Sequence, residues 1–215
     1  MLLLFKTIFM HEIRLYYRRK TDIFNALVFF FLSLILFPFG VGPEPEFLRE
    51  IGVGIIWVAA IFSVMLGVPR IFEPDSNDGT LNQYRLLPYS IEIIVLAKMF
   101  ANWAAFCWPL IILTPIAGHL FGLSLKESAE VAIALLIATP TFVMIGAVGS
   151  SLSLGSKTGR VMLALLVTPL YIPVLIFGVN AADTLMVNHL TILMGLFLFF
   201  LPLSAIACGF AIKEN

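Results

Sequence analysis

Ionisable residues are scarce in the apolar segments of this chain, which limits the chemistry that those segments could perform. Lys98 and Glu130 lie near the starts of two long apolar segments, and beyond Glu92, which also lies at such a start, the segments contain no other Asp, Glu, Lys or Arg. Proton-coupled transporters and ion pumps normally carry acids or bases at mid-membrane. The sequence therefore argues against a secondary transporter that works alone.

Residues 155–158 read Gly-Ser-Lys-Thr, which is superficially like a phosphate-binding loop. The Gly-x-x-x-x-Gly spacing of such a loop is absent, and no predicted strand precedes the segment. We interpret it as a basic turn between two spans. Cys107 and Cys208 fall inside predicted spans without a Cys-x-x-Cys pattern, which favours small buried thiols over a metal site. We predict no catalytic residue and no metal ligand.

Two histidines, His119 and His189, fall in predicted outer loops and could share one face of the protein. Imidazole can ligate haem or a metal ion, so such a role is conceivable. The alternative is a pair of unrelated histidines at the membrane interface. We assign no cofactor ligand to this chain.

The apolar segments predict an all-α, polytopic membrane protein. Hydrophobic residues make up 60% of the chain and charged residues 12%, against about 25% charged in soluble domains. The formal net charge is zero, so no basic field favours nucleic acid. Six segments can cross about 30 Å of hydrocarbon, and residues 1–215 are expected to form a single transmembrane domain. The predicted spans are 23–41, 51–68, 91–120, 129–154, 161–179 and 190–212.

Residues 1–20 predict an amphipathic helix that lies in the membrane interface and leads into the first span. Apolar side chains recur there at helical spacing, and cations accompany them. The apolar positions are Phe5, Ile8, Phe9, Ile13, Tyr16 and Tyr17, and the cations are Lys6, Arg14, Arg18, Arg19 and Lys20.

The distribution of Lys and Arg predicts that both termini are cytoplasmic. With this orientation, eleven of the thirteen basic residues lie on the inner side, and only Arg49 and Lys126 lie on the outer side. An excess of basic residues in inner loops is the usual topology signal of membrane proteins. The segment between the second and third spans is then cytoplasmic.

That segment, residues 73–88, is the longest polar stretch beyond the first twenty residues, and we predict that it docks a partner protein. Its front half is acidic and its back half is apolar, which suits a partner with a basic groove and apolar pockets. An ordinary solvated loop is the alternative. The predicted docking residues are Glu73, Asp75, Asp78, Gly79, Leu81, Tyr84, Arg85 and Leu86.

Five ordered stretches resemble the CcmB family, the permease subunit of the cytochrome c maturation ABC transporter. The likeness covers nearly the whole chain. The stretches are Gly42-Pro43-Glu44-Pro45, Gly54–Ala60, Asp78–Gln83 with Leu87-Pro88, Leu96-Ala97-Lys98 and Pro169–Phe177. Within residues 73–88 the chain departs from the family, because Pro74, Ser76 and Asn77 stand where relatives are more charged and helical.

The resemblance implies a type-2 ABC exporter fold and a location in the bacterial inner membrane. It implies a non-catalytic subunit paired with a CcmA-like ATPase, which uses the ATP, and with CcmC-like and CcmD-like subunits. Haem would be handled by those partners, and ATP hydrolysis would release the haem-loaded periplasmic chaperone. The tryptophan-rich haem motif of the haem-handling partner is not reproduced by Trp57, Trp103 and Trp108, which are scattered.

Two other functions remain open on the sequence. The chain could be the permease of another type-2 ABC exporter that moves a lipid-like substrate. It could also be a haem-binding membrane anchor, for which facing histidine pairs within spans would be needed.

Overall fold

The computed structural model describes residues 1–42, 44–86, 88–154, 159–182 and 186–214, with side chains described for these residues except 159–164, 182 and 186. Within these ranges the regular structure is helical, without a strand. The α-helices are α1 (Leu2–Arg18), α2 (Lys20–Val41), α3 (Pro45–Gly67), α4 (Glu73–Asn77), α5 (Thr80–Leu86), α6 (Ile91–Leu120), α7 (Leu125–Leu152), α8 (Gly159–Val179) and α9 (Met186–Glu214). Short 3₁₀ helices cover Val68–Ile71 and Asn180–Ala182.

Five segments of the described chain are helical, long and apolar enough to cross a membrane. They are Lys20–Val41, Pro45–Asn77, Ile91–Leu120, Leu125–Leu152 and Val187–Glu214. The remaining predicted span, 161–179, is the fifth in chain order and falls on α8, where a shorter apolar helix covers Leu165–Val179. The prediction of an all-α, polytopic membrane protein is therefore confirmed.

The predicted amphipathic segment forms α1, which packs along α6. Ile8, Ile13 and Tyr16 face inward as expected, but Tyr17 is 71% exposed. The inward face instead includes Glu12, which is buried one turn before Tyr16. An acid thus lies in the middle of the apolar stripe of this helix.

The starts of two long helices follow from local sequence. Pro45 occupies the first turn of α3, where its missing N–H costs nothing because that group has no partner within a helix. At the start of α7, the Ser124 hydroxyl accepts a hydrogen bond from the Glu127 amide while the Glu127 carboxylate accepts one from the Ser124 amide. This reciprocal capping box satisfies two amides that the helix cannot satisfy itself.

Helix α7 lies at the centre of the bundle, in contact with α3, α6, α8 and α9. Its small residues Gly146, Gly149, Ser150 and Ser151 are buried, as expected for close helix packing in a membrane. At Gly146 there is no room for a side chain, because Val68 and the Tyr171 hydroxyl lie against the backbone.

Polar contacts identify the two ends of the bundle. At one end, Lys213 near the end of α9 lies 3.4 Å from Glu92 at the start of α6. At the other, Arg49 in the first turns of α3 pairs with Glu127 at 2.9 Å. Helices α1 and α4 contact α6 near the first end, and α5 contacts the end of α9 there.

Candidate functional site

The eight predicted docking residues lie on two short helices, α4 and α5, and the turn between them rather than on a continuous loop. Gly79 adopts a φ of +80°, a left-handed conformation that glycine accepts without strain, and it forms the turn between the helices. The Thr80 amide donates a hydrogen bond of 3.0 Å to the Asp78 carboxylate. The hydrogen bonds from Thr80 hold the pKa of Asp78 below its usual value, and the side chain of Asp78 is exposed.

The structure places these eight residues in different surroundings. Asp75 and Leu81 are buried, and Glu73, Gly79 and Tyr84 are half-buried. Asp78, Arg85 and Leu86 are exposed. Docking of a partner stays a prediction, but in this conformation the Asp75 carboxylate is taken up inside the chain.

Among the described residues of this element, Leu86 and Tyr89 are the most exposed large apolar side chains. Leu86 is 86% exposed and Tyr89 is 54% exposed. Leu86 is the last residue of α5 and Tyr89 comes shortly after it, at the end of the bundle where Arg85 contacts the end of α9. We refer to residues 73–90 as the docking element and to Leu86 with Tyr89 as its apolar tip.

Arg85 fastens the docking element to the last helix. Its Nε donates a hydrogen bond of 2.8 Å to the carbonyl of Ile212, near the end of α9. Its Nη1 also donates to the side chain of Asn82, one turn earlier in α5, at 3.2 Å. The side chain predicted to contact a partner thus also closes an intramolecular contact.

A buried ion cluster lies beneath the docking element. The Lys98 ammonium of α6 donates a hydrogen bond of 2.5 Å to the Glu12 carboxylate of α1. It also lies 2.7 Å from the Asp75 carboxylate of α4. The side chains of Lys98, Glu12 and Asp75 are 1%, 6% and 10% exposed. One cation therefore joins acids from two elements that are far apart in sequence.

A second polar contact lies one turn further along α6. The Asn102 amide nitrogen donates to the carbonyl of Gly67 at 3.0 Å and to the Tyr16 hydroxyl at 3.2 Å. Lys98 and Asn102 are four residues apart on α6, as Glu12 and Tyr16 are on α1, so each pair lies on one helix face. Matching polar faces thus fix the register of α1 against α6.

A cleft of about 280 Å³ opens beside the ion cluster. Glu12, Asp75 and Tyr84 line it, and Arg70 and Asp22 form an ion pair of 3.0 Å on its wall. The Tyr84 ring centroid lies 6.0 Å from the Lys98 ammonium, within cation–π range. Burial raises the pKa of the Tyr84 hydroxyl, and burial likewise raises that of Tyr16. Both phenols therefore stay neutral at physiological pH.

The ion cluster has an energetic consequence that an exposed pair would lack. An exposed pair contributes about 0–1 kcal/mol, because water and salt screen it. Removing one member of a buried pair costs about 3–5 kcal/mol, because the remaining charge stays buried without compensation. Lys98, Glu12 and Asp75 therefore depend on one another for their position.

The two histidines considered as ligands lie at the ends of helices. His119 is in the last turn of α6, beside a mostly apolar pocket that includes Pro115 and Leu123. His189 is in the first turns of α9, where its Nδ1 lies 2.7 Å from the carbonyl of Asn180. Within the described part of the chain, no group of three or more His, Cys, Asp or Glu side chains could hold a metal ion.

Sequence reasoning identifies Lys98 as an unusual cation but does not identify its partners. Glu12 is not singled out, although an acid inside an apolar stripe is a recognisable signal. Asp75 is predicted to lie on the outer surface of the docking element with Glu73 and Asp78. No sequence pattern within residues 73–78 indicates that Asp75 is buried whereas Asp78 is exposed.

These features define an all-α, multi-pass membrane protein with a polar element folded against one end of its helix bundle. Residues 3–215 match the model of a family described as "CcmB protein", and the chain belongs to this family.

Three relatives show the extent of the similarity, and each is described as "Heme exporter protein B". The Pseudomonas aeruginosa protein is 39% identical over 177 residues, covering 82% of this chain and 79% of the relative. The Haemophilus influenzae protein is 39% identical over 186 residues, covering 86% and 84%. The Escherichia coli K12 protein is 40% identical over 181 residues, covering 84% and 82%.

Proposed function

We propose that this chain is the permease subunit of an ABC-type complex for cytochrome c biogenesis in the bacterial inner membrane. A separate CcmA-like ATPase supplies the energy, and CcmC-like and CcmD-like membrane subunits handle haem. ATP hydrolysis then serves to release the haem-loaded periplasmic chaperone. Membership of the CcmB family supports this proposal, as do relatives described as haem exporter proteins.

The observation that carries the proposal is the apolar tip of the docking element. Leu86 and Tyr89 are exposed at the end of the bundle where the C-terminal residues of α9 lie and where Arg85, Lys98 and Lys213 make their contacts. An exposed leucine and tyrosine in such a position provide the kind of anchor that partner proteins bind. Both termini and this element are assigned to the cytoplasm, where an ATPase subunit has access to ATP.

The direct test is co-purification of the CcmA-like ATPase with the tagged chain from membranes. Replacing Leu86 with Asp and Tyr89 with Ala removes the anchors without touching a buried side chain. We expect at least a tenfold loss of co-purified ATPase with an unchanged amount of the tagged chain. Leu125→Asp, at the opposite end and 80% exposed, is the matched control.

Full recovery of the ATPase with the Leu86/Tyr89 variant would refute the docking assignment. Changes at Leu81 or Asp75 are less suitable for this test, because both side chains are buried and their loss would disturb the chain itself. An unmodified chain that retains no ATPase, under conditions that preserve membrane complexes, would refute the proposed function.

A further inference from the structure

We propose that Lys98 is a positioning residue that joins the docking element, α1 and α6 into one mechanical unit. A displacement of α4 by a bound ATPase would then reach the interfacial helix and the core of the bundle together. This inference rests on the proposed function, because it takes the docking element as the place where the partner binds.

The first argument is the sharing of one ammonium by two carboxylates. Glu12 belongs to α1 and Asp75 to α4, and both lie within 2.7 Å of the Lys98 Nζ atom. All three side chains are at most 10% exposed, so separation of any member would leave a buried charge without its partner. The three elements are therefore expected to move together rather than independently.

The second argument is the size of α4. This helix has five residues, and so short a helix is unstable without tertiary contacts. Asp75 is its buried residue. The position of α4 against the bundle thus depends strongly on the contact between Asp75 and Lys98.

The third argument is the contact between α1 and α6. Lys98 holds Glu12, and one turn later Asn102 holds both Tyr16 and the carbonyl of Gly67. Two successive turns of α6 therefore make polar contacts with α1. Asp75 connects α4 to the first of these turns through Lys98. A displacement of α4 would therefore be transmitted to α1 directly through the Lys98 side chain.

The experiment exchanges the charges of Asp75 and Lys98 in the assembled complex. Asp75→Lys and Lys98→Glu each remove the opposite-charge contact between these two positions, whereas the double exchange restores that contact and the net charge of the cluster. Four quantities are measured: the amount of the chain in membranes, the co-purified ATPase, the ATPase activity and the c-type cytochrome formed in cells.

We expect each single exchange to lower cytochrome c formation at least tenfold. The double exchange should restore formation to within about threefold of the parent. A milder pair, Asp75→Asn and Glu12→Gln, removes charge with little change of shape. These two variants should retain co-purified ATPase and ATP hydrolysis while cytochrome c formation falls several-fold.

Glu92→Gln is the matched control, because Glu92 also pairs with a lysine at the same end of α6 but is partly exposed. It should leave all four quantities unchanged. The same amount of cytochrome c from Asp75→Asn or Glu12→Gln as from the parent would overturn the inference. So would a double exchange that reaches the membrane with its ATPase but forms no more cytochrome c than the single exchanges.

Failure of the inference is distinguishable from failure of the proposed function. If the function is wrong, the unmodified chain retains no ATPase and its loss leaves cytochrome c formation intact. If only the inference is wrong, the unmodified chain retains its ATPase and is needed for cytochrome c formation, and the cluster variants behave like the parent.

Discussion

Gly178 of α8 lies against the face of a buried tryptophan. A Cβ atom at this position would overlap three carbon atoms of the Trp57 indole ring, and Trp57 is fully buried. A rigid ring in a packed core cannot move aside cheaply. The approach of α8 to α3 therefore requires glycine here.

Gly178→Ala is expected to destabilise the protein by about 1–3 kcal/mol, the usual cost of overpacking. The apparent melting temperature in detergent should fall by about 2–4 °C for each kcal/mol. Gly195→Ala is the control, because no atom lies within 4 Å of the place that its new methyl group would take, and alanine favours a helix. A Gly178→Ala variant as stable as Gly195→Ala would contradict this packing argument.

The ion cluster could be predicted only in part from the sequence. Lys98 is recognisable, because a cation near the start of an apolar segment is costly and demands partners. Its partners, Glu12 and Asp75, cannot be recognised in the same way, because they lie 86 and 23 positions earlier in the sequence. Their approach to Lys98 depends on how three helices pack. Side-chain burial at the docking element likewise depends on packing rather than on residue type.

At the scale of elements, apolar length predicts the helices well and their starts less well. The third predicted span, 91–120, coincides with α6, since that helix is predominantly apolar from its first turn to its last. The second and fourth spans are predicted to begin at residues 51 and 129, but α3 and α7 begin at Pro45 and Leu125. Both helices include a charged first turn, which a prediction based on the length of the apolar stretch leaves out. Pro45 and the Ser124 capping box explain why the helices begin earlier.

The first turn of α7 provides a test at this scale. Glu127→Ala removes both the carboxylate half of the capping box and the ion pair with Arg49. We expect a loss of about 1 kcal/mol from the cap and up to about 1 kcal/mol from the pair. The thermal midpoint in detergent should fall accordingly.

Glu130→Ala, on the same helix, is the comparison. Glu130 makes an i,i+4 contact of 3.8 Å with Lys126, which is worth about 0.3–0.5 kcal/mol. Equal midpoints for the two variants would mean that the capping box does not stabilise the start of α7.

At the scale of the whole molecule, the distribution of cations agrees with the arrangement of the ends. Lys98, Arg85 and Lys213 make their contacts at the end that holds the docking element. Arg49 makes its contact at the opposite end. These four cations therefore lie at the ends that the order of spans predicts for them, and the assignment of the first end to the cytoplasm stays a prediction.

Cysteine labelling tests that assignment. Cys107 and Cys208 are buried, so a membrane-impermeant maleimide should report on introduced cysteines. In spheroplasts lacking the ATPase partner, Leu125→Cys should react at once, whereas Leu86→Cys should react only after lysis. The reverse pattern would place the docking element outside the cytoplasm.

The shared contact of Lys98 also implies an order of assembly during synthesis. Glu12 and Asp75 are both made before Lys98, so neither acid has its cation while the first two spans enter the membrane. The N-terminal helix is translated before the spans, yet its final docking must wait for the third span. We therefore expect the N-terminal helix of a nascent chain truncated before residue 98 to remain accessible to protease.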